Sequence, residues 1–391
     1  MAPPPPPHHP PALPDELVEE ILLRFPSADP ASLVRAALIS TRWCRVVASP
    51  GFRRRFRARH RAPPLLGFVG NTPEGIGVAS FIPLTSFRPR RADCVRYHAR
   101  DCRHGRVLLS WVALGDVLPE ATLTVWDPIT DEQRHVPLPP RHQHTHDWTA
   151  AILCASTAIG TCDHLDCHSG PFIVVFVGIN TIEMFTQVYS SESGAWSEAI
   201  SAQHPGDYLD MAMPVALVGN ALYFLLLKGT TILRCDLATR ELSVIHLPHR
   251  FPYGPHAVLM TMEDGKLGVA AVDSSRTLCL WSMEVDAKGD TECALIKVIE
   301  LETLLPACAL SVRPCVLAFA DSTGVVFLGT SDGIFTMDLK SRRVTNVSKD
   351  REFLCGVFPY MSFYTPGMLR LSWTDGVLKT GLNLGWASKL S

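Results

Sequence analysis

The sequence predicts a small all-α unit of three short helices, residues 13–53, followed by an all-β propeller of kelch-like blades over residues 65–391. Six blades are favoured, with five or seven left open. Three observations carry this reading. Apolar residues recur at helical spacing between capping residues and prolines in the first fifty positions. The remainder is made of short apolar runs split by Gly, Asp, Ser and Pro. Within that remainder a hairpin pattern returns about every fifty residues.

Bulk properties bound the alternatives. A chain of 391 residues is long for a single ordinary core. At 47% hydrophobic and 19% charged it is globular in composition. A net charge of −2 gives no general case for binding nucleic acid. The charge is uneven: residues 1–62 carry 10 Arg against 5 Asp and Glu, and the rest is net acidic, so the two parts face different partners. The longest apolar runs, such as 171–179 and 221–227, have strand length and fall far short of the roughly 20 residues of a membrane span. Residues 1–12, "MAPPPPPHHPPA", have neither the charged nor the apolar region of a secretory signal and read as a disordered polyproline-like tail. The 12 cysteines are scattered and read as reduced, mostly buried thiols of a cytoplasmic or nuclear protein.

The helical elements follow in order. Asp15 and Glu16 after Pro14 suit the positive end of a helix, and Leu17, Val18, Ile21 and Leu22 give it a broad apolar face. Glu20 and Arg24 form an i,i+4 pair, and Pro26 stops the helix. Asp29 and Pro30 begin a second helix carrying Leu33, Val34, Ala37 and Leu38. Ser40 or Thr41 caps a third with Trp43, Val46 and Val47, ended by "SPG" at 49–51, and Phe52 follows as an apolar anchor. Three such helices carry more apolar surface than one small core covers, so the surplus must dock elsewhere. "RRRFRARHR" at 53–61 reads as an Arg-rich helix end or basic linker over 54–64, ahead of an import or anion-binding patch.

The β elements repeat. The stretches 123–139, 187–199, 232–248 and 334–347 each hold an alternating strand, a D/S-x-x-S/T turn and a second alternating strand. The turns begin at Asp127, Ser190, Asp236 and Asp338, with a looser copy in register at Ser282. Asp or Ser at the turn start can accept from backbone N–H groups two and three residues on. A Gly-led strand precedes each hairpin, so each repeat supplies about four strands, one propeller blade. The ends, 65–100 and 360–385, supply the sixth blade by joining strands from both termini.

Two family resemblances now stand on these residues. Leu13-Pro14, Ile21-Leu22, Pro26, Leu33, Arg35, Ile39-Ser40, Arg42-Trp43 and Phe52 together resemble an F-box, with departures at "AAL" (36–38) and at Arg42, where lysine is common. The phrases "DCRHGRVLL", "LTVWDP", "VPLPP", "LYFLL", "GIFTMDLKSRRV" and "FPYMSFYTP" resemble the F-box-associated propeller of a large family of grass F-box proteins. The resemblance implies binding to the Skp-type adaptor of a cullin–RING ubiquitin ligase. The adaptor-binding residues it implies are Leu13, Pro14, Leu17, Ile21, Leu22, Leu33 and Trp43. It further implies that the propeller loops hold a protein target for ubiquitination and that the chain itself is not an enzyme. The first lysine is Lys228, which on this reading limits self-modification near the ligase. A propeller enzyme and a ligase-independent F-box scaffold are the alternatives.

No nucleotide, metalloprotease or hydrolase motif occurs, and no catalytic residue, cofactor or metal is expected. "TCDHLDCH" at 161–168 raises a zinc question through Cys162, His164, Cys167 and His168. Four ligands so close in sequence cannot readily close a tetrahedron, so a turn with a buried thiol and solvated imidazoles is the expectation.

Overall fold

The computed structural model describes residues 13–72, 77–112, 122–156, 162–211, 213–247, 257–285, 291–349, 356–365, 372–374 and 377–379. The chain divides into two compact units, Met1–Arg61 with Tyr364–Ser391, and Ala62–Phe363. The Pro-rich segment 1–12 lies outside the described residues.

The first unit holds four helices where the sequence suggested three: α1 (Asp15–Leu23), α2 (Pro30–Ile39), α3 (Thr41–Ala48) and α4 (Pro50–His60). Ser40 Oγ accepts from Trp43 N–H (3.2 Å) and opens α3, and Ser49 Oγ accepts from Phe52 N–H (3.1 Å) and opens α4. Asp29 stands at the N-cap of α2 but makes no cap bond to the backbone; its carboxylate takes the Ser32 hydroxyl at 2.5 Å instead. Of the two readings of the basic run, the helix end holds through His60 and the linker over 54–64 does not. Pro50 starts a helix there, and Phe52 and Phe56, one turn apart, are both fully buried.

The second unit is a ring of six blades, each an antiparallel sheet. The second blade is made of Tyr97–Arg103, Arg106–Trp111, Thr122–Trp126 and Gln133–Pro137. The third starts with Asp147–Cys154, Phe172–Ile179 and Glu183–Ser190; its outer edge is split into Ala195–Trp196 and Ile200–Gln203, both paired to Glu183–Ser190. The fourth, fifth and sixth begin at Ala216, Val258 and Cys315. The first blade closes the ring. Leu65–Asn71, Val78–Pro83 and Asp93–Val95 form it from the N-terminal side, and Val357–Met361 returns to pair with Leu65–Asn71. The sequence expects closure from 65–100 and 360–385; the closing strand Val357–Met361 shares only two residues with that C-terminal stretch, and Tyr97–Arg100 opens the second blade. Among the described residues, Ser372–Thr374 and Val377–Lys379 pair with each other.

The core lies between blades. Separate apolar clusters join the second blade to the third, the third to the fourth, and so on to the sixth and first. This explains why the Gly-led strands read as nearly continuous apolar runs. Each is the second strand of its blade, covered on both faces by neighbours, and Leu267–Val272 is buried at every position. Polar bridges also cross between blades. Asn71 exchanges both hydrogen bonds of its amide with the backbone of Ala99 (2.8 and 2.9 Å), and Asp101 accepts from Ile152 N–H (2.9 Å).

The predicted turns form at four of five places. Asp127 accepts from the N–H of Ile129 and Thr130, Asp236 from Ala238 and Thr239, Asp338 from Lys340 and Ser341. Ser190 Oγ accepts from Glu192 N–H. The position four residues on is left-handed each time: Asp131 (φ 61°), Gly194 (φ 68°), Arg240 (φ 62°) and Arg342 (φ 58°), as in a type I turn followed by a bulge. Ser282 is a correction. It sits inside the strand Thr277–Val285, opposite Gly268 and Ala294, because that strand is longer than its counterparts.

Candidate functional site

Two places carry candidate chemistry, and the first is α1. Its apolar residues form two adjacent stripes. Val18, Leu22 and Leu23 are buried. Leu17 and Ile21, one turn apart, are exposed by 51% and 42%, and Leu13, two residues ahead of the helix, by 47%. A surface helix ordinarily turns its apolar stripe inward; here apolar side chains remain on the outer side as well. Ion pairs hold α1 in place from the remaining sides: Arg42 with Asp15 (2.5 Å) from α3, and Arg55 with Glu19 from α4. Glu20 and Arg24 pair along α1 itself at 3.1 Å.

The implied adaptor residues therefore separate. Leu13, Pro14, Leu17 and Ile21 are exposed, and Trp43 is half-buried. Leu22 and Leu33 are buried at 0% and 1% exposure, which places them beneath the outward surface instead of on it. Leu38 (38%) and Ile39 (67%) at the end of α2 are exposed apolar residues outside the expected set. The helical spacing groups Leu38 with Leu33, Val34 and Ala37, but the buried face of α2 stops at Ala37.

The second place is in the third blade. Cys154, Cys162, His164 and Cys167 bring their ligand atoms within 4.8 Å of one another. Cys154 ends the strand Asp147–Cys154; the others lie on the connection to Phe172–Ile179. His168 is not with them. Its Nδ1 donates to Asp127 Oδ2 (2.8 Å), anchoring the connection to the turn of the second blade. Burial opposes a charge on His168, but the hydrogen bonds of Asp127 and then Asp166 prevail and raise its pKa to about 9. The His104 ring stacks on His164 at 4.1 Å, and its Nδ1 accepts from Cys154 N–H (3.1 Å). Burial, then His164 and the arginines at 103 and 106, lower the His104 pKa to about 3, so that ring is neutral. The sequence raises zinc for Cys162, His164, Cys167 and His168 and sets it aside for a turn with a buried thiol and solvated imidazoles; three of those four do converge, and the His168 side chain is 9% exposed, not solvated. Cys154 was missed because it is eight positions away in the chain and reaches the cluster only when the strand forms.

Comparison with known proteins supplies the family. Residues 11–55 match the F-box domain, and residues 98–368 match the β-propeller described as "F-box protein AT5G49610-like, beta-propeller". No curated protein sequence matches the chain. Among solved structures, the nidogen/laminin complex aligns at 10% identity over 75% of this chain and 98% of that chain, with a TM-score of 0.42. The periplasmic gluconolactonase PpgL of Pseudomonas aeruginosa aligns at 13% identity over 72% and 82%, with a TM-score of 0.40. Likenesses at this level bear on neither substrate nor partner.

Proposed function

This chain belongs to the family of F-box proteins with an AT5G49610-like β-propeller, and on that premise we propose that it is a substrate receptor of a Skp–cullin–F-box ubiquitin ligase. The observation that carries the reading is the outward stripe of Leu13, Leu17 and Ile21 in the segment that matches the F-box. An apolar helix face of this kind suits a groove on a Skp-type adaptor, with the aliphatic side chains as anchors. Through the adaptor the chain joins the cullin and RING subunits.

The propeller then holds a protein target. Its part in the reaction is proximity: a captured target presents its lysines to the ubiquitin carrier at high local concentration. The receptor supplies no acid, base or nucleophile, and it acts in the cytoplasm or nucleus, where its thiols stay reduced. Co-expression of the full chain with adaptor, cullin and RING subunits tests the assembly. A single co-eluting complex of the four is expected; a folded chain that elutes alone while the other three assemble would overturn the reading.

A further inference from the structure

The cluster of Cys154, Cys162, His164 and Cys167 has the composition and closeness of a metal centre. In a tetrahedral zinc site with Zn–S near 2.3 Å and Zn–N near 2.0 Å, ligand atoms stand roughly 3.5–3.8 Å apart. Cys167 Sγ and His164 Nδ1 are 3.7 Å apart, one edge of such a tetrahedron. All four ligand atoms already fit within 4.8 Å, so small side-chain rotations complete the geometry. His164 takes a left-handed backbone (φ 56°), and its N–H points at Cys162 Sγ (3.4 Å). That N–H is a hydrogen-bond donor to a metal-bound thiolate. The stacked His104 ring fixes the plane of the His164 imidazole.

The surrounding charge agrees. Three thiolates and one imidazole around a divalent zinc leave a net charge of −1. Buried charge needs a counter-charge, and Arg106 provides it. It is 2% exposed, and one of its guanidinium nitrogens donates to the carbonyls of Cys167 and Gly170, both at 2.6 Å. Its Nη1 is buried with no partner among the described residues.

The topology gives the site a purpose. The connection between the first two strands of this blade spans residues 155–171. In the second and fourth blades the same connection is a two-residue turn, His104–Gly105 and Gly219–Asn220. A metal crosslink here adds to the fastenings that His168 and Arg106 give the connection. We propose that Cys154, Cys162, His164 and Cys167 bind one zinc ion as a structural centre that pins the 155–171 connection to the third blade. Four protein ligands fill the tetrahedron, leaving no open position for catalysis.

The test uses the full chain, stripped of metal and reduced with a phosphine. Titration with cobalt(II) is expected to give one equivalent with the thiolate charge-transfer and intense d–d bands of a tetrahedral site, bleached when zinc displaces it. Cys162→Ser/Cys167→Ser should lower uptake at least tenfold, and Cys308→Ser, at an exposed cysteine outside the cluster, should leave it unchanged. His164→Cys should keep one equivalent while the d–d bands shift as nitrogen is replaced by sulfur. That variant and the wild-type spectrum decide the matter even if the double serine variant fails to fold. A folded wild type with no tetrahedral cobalt spectrum would overturn the proposal. So would undiminished uptake in a folded double serine variant, or an unshifted spectrum in His164→Cys.

Discussion

Single residues at the blade turns set much of the local geometry. Arg342 is exposed and held at φ 58°, a conformation that costs an L-residue about 1–2 kcal/mol and glycine almost nothing. Arg342→Gly is therefore expected to raise stability by about 0.5–1 kcal/mol after its greater unfolded-state entropy, read as a higher midpoint in urea. Asp338 accepts two backbone N–H groups and the Ser341 hydroxyl, so Asp338→Ala should cost about 1 kcal/mol. The backbone bond from Ser341 is the leading cause that holds the Asp338 pKa below its ordinary value. Its contribution is thus present above the unfolded-state value near pH 4 and fades as pH falls through the native pKa; wild type and Asp338→Ala should converge in stability there. These turns were legible because their chemistry is local, a side chain bonding to its own backbone two and three residues on. The Cys154 member of the cluster was not, because its closeness to Cys162 is a product of strand pairing.

At the scale of elements, the returning strand Val357–Met361 bears on the whole ring. Tyr360 is fully buried, its ring packs edge-on to Phe81 (5.5 Å), and its hydroxyl donates to Gly105 O (3.2 Å). Tyr360→Ala should cost roughly 3–5 kcal/mol and Tyr360→Phe about 1 kcal/mol. Each should shift a single cooperative transition of the propeller in denaturant, since the strand joins the two ends of the ring. The strand repeat was readable from spacing alone, as was closure by both termini. The end of the closing strand was not, because "FPYMSFYTP" stays apolar past Met361 and nothing in its composition marks where pairing stops. Helix α4 was hidden for the opposite reason. Six arginines in nine residues read as charge, while the buried pair Phe52 and Phe56, one turn apart, carried the helix signal.

The whole molecule has a helical unit that leaves apolar side chains exposed and a propeller that buries its own between blades. The sequence showed that α1 is apolar on more sides than one core needs, but not which side faces out. Leu17 and Ile21 differ from Val18 and Leu22 by one position each, about 100° around the helix, and only packing decides between them. That difference makes the central claim testable. The measurement is binding of the purified full chain to a Skp-type adaptor by calorimetry, with Leu17→Asp/Ile21→Asp beside wild type and thermal melts of both. Two anchors of the hot-spot kind contribute roughly 2 kcal/mol or more each. Stoichiometric binding by wild type, a loss of about a hundredfold or more in the variant, and unchanged melting are expected. A folded wild type that does not bind, or a folded variant that binds as well as wild type, would contradict the claim.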